Sequence, residues 1–280
     1  EISLGLVGSE MCIRDRYSGD TAQWTSANIN VKNLTTLSLS VGGTDEFSAS
    51  DVSTLLTNLT TSDSATSGMN AGSILGFDTV NAAGGTFTIA DNIANTSGAS
   101  GGTRSLVKVG AGTLVLTGAN TYTGATSVRE GALTLSGNYS GNGIVTVSAA
   151  TLNLGSETAI NGGGGLTISN AAAVLDNTSG AALSLSNAGT LTLSSNVTFT
   201  GTNDLTFGSS SAVALGNATR TVTVNANTLT FGGGVASTGA FGISKAGAGT
   251  LVLSGTNTFT GALGITCLLY TSDAADEEDS

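Results

Sequence analysis

The chain has 280 residues, among them 41 glycines, no proline, no histidine and two cysteines; 10% of its residues are charged and its formal net charge is −11. Without histidine, it offers no Ser-His-Asp or Cys-His nucleophilic site and no histidine-ligated zinc. An acidic chain without basic patches is also a poor partner for nucleic acid or for an anionic membrane surface.

The two ends of the chain differ from the rest. Both cysteines lie there, at Cys12 and Cys267, and MCIRDR at 11–16 and CLLYTSDAADE at 267–277 resemble translated sequencing-adapter read-through. The first residues lack the basic start and apolar run of a signal peptide, so a secreted protein would be represented here by an internal fragment. We expect residues 1–16 and 267–280 to be artefact or disordered sequence.

Residues 17–103 are expected to form the N-terminal part of a β-structure that carries one short helix. In SASDVSTLLTNL, residues 48–59, four apolar residues follow helical spacing, with Ser48 or Ser50 as N-cap and Asp51 in the first turn. This helix would decorate the fold or cap an open strand edge. Strands are expected around Phe77 and at residues 86–90.

The clearest internal repeat lies further along the chain. Residues 108–125 read KVGAGTLVLTGANTYTGA, and residues 245–262 read KAGAGTLVLSGTNTFTGA. The first copy continues to residue 137, whereas the register of the second fails at Cys267. We assign a structural role to the positions of this repeat motif, which are Lys108, Gly110, Gly112, Leu114, Leu116, Gly118, Asn120, Tyr122 and Gly124, with Lys245, Gly247, Gly249, Leu251, Leu253, Gly255, Asn257, Phe259 and Gly261. The glycines are expected in tight turns, the leucines in the core, and the asparagines on turn backbone groups or in ladders.

Short strands fill the interval between the two copies. Apolar–polar–apolar triplets recur from Leu133 to Phe231, about every eight residues, and Gly, Asn and Ser separate them. Such alternation is typical of strands buried on one face. An antiparallel sandwich and a parallel β-helix both fit this spacing. Very short strands, 5% aromatic residues and the absence of proline favour the β-helix, with three strands and about 22–25 residues per coil. The regular part would extend over 104–266.

The motif at 110–137 resembles the passenger-associated transport repeat, also called the autotransporter-associated β-strand repeat. This resemblance implies an all-β, right-handed parallel β-helix that is exported to the surface of a Gram-negative-type bacterium, or secreted, with repeats that assist secretion and folding. It also implies an outer-membrane β-barrel as partner in the full-length protein. No alternating strands of such a barrel are found in the sequence, and no apolar run is long enough for a transmembrane helix.

Other chemistry has weak support. Asp176 and Asp204 are the only candidate pair for glycoside hydrolysis in the central coils, and both are expected at the surface. We expect no enzymatic activity, no cofactor and no metal, and a structural, adhesin-like passenger whose partner is a host or cell-surface glycan or protein. Two alternatives remain: a β-helical carbohydrate-active enzyme fragment without its catalytic cluster, and the scaffold of a large surface protein that is not an autotransporter.

Overall fold

The computed structural model describes residues 21–61 and 64–266 as a parallel β-solenoid, so the predicted fold class is confirmed. The two end segments interpreted as artefact, 1–16 and 267–280, lie outside the described residues. Within the described chain, no helix is long and apolar enough to cross a membrane.

Two long sheets of nine parallel strands each run along the solenoid. The strands of the first sheet are β2 (Thr36–Ser40), β4 (Ser73–Asp78), β6 (Arg104–Val109), β8 (Thr126–Val128), β10 (Val145–Val147), β12 (Leu166–Ile168), β15 (Leu191–Leu193), β18 (Val213–Ala214) and β21 (Val235–Ala236). The strands of the second are β5 (Thr86–Ile89), β7 (Thr113–Leu116), β9 (Ala132–Leu135), β11 (Thr151–Leu154), β13 (Val174–Asn177), β16 (Val197–Phe199), β19 (Arg220–Val224), β22 (Ile243–Ala246) and β24 (Leu263–Ile265).

A third sheet of four strands covers only the later coils: β14 (Leu183–Leu185), β17 (Leu205–Phe207), β20 (Thr228–Phe231) and β23 (Thr250–Leu253). A two-stranded sheet near the N-terminus pairs β1 (Asn30–Val31) with β3 (Gly68–Met69). Short 3-10 turns occupy Thr21–Gln23 and Ala83–Gly85.

Coil length changes where the third sheet begins. The predicted 22–25 residues hold from Leu166 to Leu191, a step of 25, and from Leu191 to Val213, a step of 22. From Thr126 to Val145 the step is only 19 residues, and that coil has two strands. Its third side pairs with the preceding coil only through the bridge between Asn120 and Tyr139. The prediction of three strands per coil is confirmed from the coil that begins with β12 onward, and it is wrong for the coils that begin with β4, β6, β8 and β10, which have two.

The core is a set of stacked columns of inward side chains. In the first sheet, one column runs through Leu106, Thr126, Val145 and Leu166, all buried. Thr126 is the polar member, and its hydroxyl forms a 2.6 Å hydrogen bond with the hydroxyl of Tyr122. In-register stacking places like residues on like residues about 4.8 Å apart, which buries short apolar strands that could not be buried singly.

Helix α1 (Ala49–Leu59), the one α-helix among the described residues, confirms the predicted helix. Ser48 is the N-cap: the Asp51 N–H donates to its side chain at 3.2 Å, and the Asp51 carboxylate accepts from the Ser48 N–H at 2.9 Å. This capping box satisfies N-terminal donors of the helix. Its apolar face is buried, and the helix contacts β3 and β5, the latter being the first strand of the second sheet.

Candidate functional site

The corner that follows β6 is held by a group of hydrogen bonds centred on a buried lysine. We call it the Lys108 corner; it consists of Lys108, Val109, Gly110 and Glu130. Lys108 points into the core, stacked between Phe77 and Val128 of the neighbouring coils, and is fully buried. Burying a lysine side chain in the core costs free energy unless its ammonium group is paired or hydrogen-bonded.

The ammonium of Lys108 has three carbonyl acceptors. Nζ donates to the carbonyl oxygens of Val109 and Gly110 at 2.8 Å each, and to that of Glu130 in the next coil at 3.1 Å. These bonds use all three donors of an ammonium group. The Gly110 N–H in turn donates to Glu130 Oε2 at 3.2 Å. Both the backbone carbonyl and the carboxylate of Glu130 therefore accept hydrogen bonds from this corner.

Burial lowers the pKa of Lys108 to about 8, while the negative charges of Asp78 and Glu130 act in the opposite direction. The three carbonyls also favour the charged form, because a neutral amine has only two N–H donors and would leave one carbonyl without a partner. The corner is a structural clamp between coils.

The second copy of the motif repeats this arrangement. Lys245 Nζ donates to the carbonyl oxygens of Ala246 at 3.0 Å and Gly247 at 2.6 Å. The position that corresponds to Glu130 is Cys267, which lies outside the described residues. Gly110 and Gly247 both have positive φ, 78° and 80°, which explains why glycine follows the lysine at this corner.

The other motif glycines are needed for close approach between coils. A Cβ added at Gly124 would lie 2.3 Å from the carbonyl oxygen of Arg104 in the preceding coil. Similar backbone contacts below 3 Å occur at Gly112, Gly118, Gly249, Gly255 and Gly261. Their φ angles are not positive, so lack of room, not turn conformation, selects glycine there.

Asn120 joins two coils through backbone groups. Its Oδ1 accepts from the Ile93 N–H of the preceding coil at 3.0 Å, and its Nδ2 donates to the Gly118 carbonyl at 3.0 Å. Asn257 repeats the first bond, with Oδ1 accepting from the Val235 N–H at 3.0 Å. Asn120 is buried, whereas Asn257 is exposed.

The apolar residues of the motif are likewise more deeply buried in the first copy than in the second. Leu114, Leu116 and Tyr122 are buried, and the Tyr122 ring centroid lies 5.1 Å from that of Tyr139 in the next coil. Burial raises the pKa of Tyr122 well above its ordinary value. Their counterparts Leu251, Leu253 and Phe259 are only partly buried, because they lie in the last described coil.

The two carboxylates considered for glycoside hydrolysis accept hydrogen bonds from residues of the next coil, mainly from backbone N–H groups. Asp176 Oδ1 accepts from the Thr202 N–H at 2.9 Å and Oδ2 from the Thr202 hydroxyl at 2.5 Å, while Asp204 Oδ1 accepts from the Thr228 N–H at 2.7 Å. Asp176 is 7% exposed, so the prediction that it lies at the surface is wrong. Among the residues that the structure describes, no group of three or more His, Cys, Asp or Glu could hold a metal ion.

Comparison with known proteins places this motif in a family. The passenger-associated transport repeat matches at residues 106–134, 184–208 and 243–266. The chain is a β-solenoid that carries passenger-associated transport repeats, of cell-surface, outer-membrane-associated or secreted type, as the sequence motif predicted.

A relative supports the same class. Over 212 residues the chain is 30% identical to the adhesin BmaC autotransporter of Brucella suis biovar 1 (strain 1330). The alignment covers 74% of this chain and 5% of that relative, so the chain spans a small part of the relative's length. No solved structure matches significantly.

The middle match, at 184–208, was missed by sequence reasoning. It keeps GTL-x-L at 189–193 and T-aromatic-T-G at 198–201, which lie 77 positions after the first copy. Leu185 stands where the first copy has Lys108, and Val197 where it has Asn120, so the most distinctive residues are absent. The constant spacing of Gly189 and Gly201 was the available signal.

The three matches share a local unit but not a sheet. Each has a strand, a corner with a left-handed glycine, and a second strand. That glycine is Gly110 between β6 and β7 and Gly247 between β22 and β23, whereas between β14 and β15 it is Gly189, which aligns with Gly112, two positions later in the motif. The first unit starts in the first sheet, the second in the third sheet and the third in the second sheet. The repeat therefore specifies one corner of a coil, wherever that corner falls on the solenoid.

Proposed function

We propose that the chain is a non-enzymatic, adhesin-like rod within a surface passenger, and that its transport repeats assist export and folding. The observation that carries this proposal is the recurrence of the strand–glycine–strand corner at three places along one solenoid. The adhesin named among its relatives supports the adhesive role. The expected partners are an outer-membrane β-barrel during export and a glycan or protein of a host or cell surface afterwards.

The repeat corners would help export by folding outside the membrane. The Lys108 corner and Asn120 each tie a coil to its neighbour through backbone groups, so a coil that has emerged gains these bonds at once. Coils that stack outside cannot return through a narrow channel, which biases movement outward. The chain's lack of proline allows continuous stacking of its parallel coils.

The absence of an enzymatic role is part of the same proposal. Two carboxylates that face one glycosidic bond are needed for hydrolysis. The best candidates, Asp176 and Asp204, accept backbone and hydroxyl hydrogen bonds at turns. The outward, half-buried positions of the first sheet carry hydroxyls in register instead, with Thr146, Thr167 and Thr192 in one row. Such a row suits contact with polar partners such as glycans.

Export is tested with the whole chain placed between a signal peptide and an autotransporter translocation unit. Surface exposure is measured by protease accessibility on intact cells. The double variant Lys108→Met, Asn120→Ala should reach the surface several-fold more slowly, whereas Lys32→Met, a change at an exposed lysine, should not differ from the unchanged chain. Equal export of the two variants would contradict the role of the repeats.

Adhesion and catalysis are tested on the same cells. Cells that display the chain should bind at least one member of a panel of immobilised glycans and matrix proteins, and cells with the translocation unit alone should not. No member of a polysaccharide panel should be cleaved. Binding by neither strain, or release of any product, would overturn the adhesin-like, non-enzymatic assignment.

A further inference from the structure

Strand β6 carries two cationic side chains that point into the core. Only one of them, Lys108, has a hydrogen-bond acceptor for each of its donors in the described chain. Arg104, Leu106 and Lys108 all point inward along this strand. Lys108 has three carbonyl acceptors, as described above. Arg104 is 2% exposed, and its Nε and Nη2 have no hydrogen-bond partner among the described residues.

Nothing described offsets the charge of Arg104. Burial lowers the pKa of Arg104 to about 10, and no described residue opposes this effect with a negative charge. The backbone of Arg104 is fully engaged: its N–H donates to Asn95 Oδ1 at 3.2 Å, and its carbonyl accepts from the Gly124 N–H at 3.0 Å. Within the described chain, the atoms left without a partner are Nε and Nη2 of the guanidinium.

A second unpartnered polar group lies beside it. Ser73 in β4 is the register partner of Arg104, its side chain is fully buried, and its Oγ has no hydrogen-bond partner in the described chain. Buried polar groups are nearly always hydrogen-bonded, and a buried charge without a partner is costlier still. Two such groups at one register position point to a bound species.

We propose that Arg104 and Ser73 form an interior site for one small monovalent anion, such as chloride, between β4 and β6. Nε and Nη2 lie along one edge of the guanidinium and can receive an anion side-on. The Ser73 hydroxyl supplies a third donor. A water molecule would satisfy the donors but leave the charge uncompensated, whereas an anion does both. Protein interiors are closely packed, so the ion expected at this position is small.

The site is tested by unfolding the chain in urea at constant ionic strength, with chloride replaced stepwise by gluconate. An anion that binds only the folded state stabilises it by mass action. The urea midpoint should therefore rise with chloride concentration. Arg104→Met should abolish this rise, Ser73→Ala should reduce it, and Arg129→Met, at an exposed arginine, should retain it. An equal response of Arg104→Met and the unchanged chain would overturn the proposal.

A crystal grown with bromide gives an independent readout that does not depend on any variant. Anomalous scattering should show one bromide between the Arg104 guanidinium and Ser73. A peak-free site occupied by water would overturn the proposal, even if Arg104→Met failed to fold.

Discussion

Lys108 Nζ donates to the carbonyl oxygen of Glu130 at 3.1 Å, so a core lysine of one coil is bonded to the corner of the next. The side chain of Glu130 completes the link by accepting from the Gly110 N–H. A single lysine thereby closes its own corner and fixes the position of the following coil. This makes Lys108 the motif residue whose loss should be felt most.

Lys108→Met should destabilise the chain by about 2 kcal/mol. Methionine replaces the apolar part of the side chain but leaves three carbonyl oxygens without their donor, and each hydrogen bond to a charged group contributes about 1.5 to 3 kcal/mol net. The cost of burying the ammonium, which methionine does not have, offsets much of this loss. Urea unfolding followed by circular dichroism measures the change. Lys32→Met, at an exposed position, is the matched control and should shift the unfolding free energy by less than about 0.5 kcal/mol. Equal effects of the two changes would refute the clamp.

Lys108 also predicts the direction of a pH dependence. Its folded-state pKa, about 8, is below the ordinary value of 10.5, so between these values the unfolded chain binds more protons than the folded chain. Stability should therefore increase as pH rises from 8 towards 10, by about 1 kcal/mol after allowance for solvent screening. Urea midpoints at pH 7.5, 8.5 and 9.5 test this. The Lys108→Met variant should lack the increase, and a decrease over this range in the unchanged chain would contradict it.

Above pH 10 the tyrosines should reverse this trend. Burial raises the pKa of both Tyr122 and Tyr139, so the folded state resists losing their protons. Stability from these groups is present below pH 10 and is lost as pH rises further. Tyrosinate absorbance during alkaline titration should show two tyrosines that ionise only on unfolding. Tyr122→Phe should reduce that number to one.

The two copies of the motif allow a matched asparagine comparison. Asn120→Ala leaves the buried Ile93 N–H and Gly118 carbonyl without partners, which should cost about 1 to 3 kcal/mol. Asn257→Ala removes the equivalent bond to the Val235 N–H at an exposed position, where water can replace it, and should cost below about 1 kcal/mol. Unfolding free energies of the two variants decide the matter; a larger loss for Asn257→Ala would be inconsistent with the structure.

Gly124 tests whether glycine is required where the backbones of neighbouring coils approach each other closely. Gly124→Ala would force its Cβ against the Arg104 carbonyl oxygen, and overpacking of this kind costs about 1 to 3 kcal/mol. At Gly264 the nearest atom to an added Cβ is Ser244 Oγ at 3.5 Å, so Gly264→Ala should be tolerated. Thermal unfolding of both variants provides the measurement. Similar melting temperatures would show that the coils can move apart at Gly124.

Alternating residues such as Leu152 and Leu154 indicated strands buried on one face, because period-2 burial is kept in most strands. The very short strands, the low aromatic content and the absence of proline then favoured the parallel solenoid over an antiparallel sandwich. The helix was predictable from Ser48 and its apolar spacing. The 19-residue coils could not be predicted. A coil without a third strand keeps the same apolar–polar alternation in its two remaining strands, so the sequence pattern does not change. The roles of Lys108 and Arg104 were also hidden, because a cation in an alternating pattern is normally assigned to the outward face.

The two ends of the described solenoid are unlike each other. Helix α1 contacts β5, the first strand of the second sheet, whereas the last strand, β24, leaves Leu263 and Ile265 more than half exposed. A strand arriving at the helix end would have to displace a packed apolar face, but one arriving at the other end would find backbone groups and side chains in register. Within the described residues, a further coil could therefore add in register at β24, whereas helix α1 lies against the other end of the second sheet.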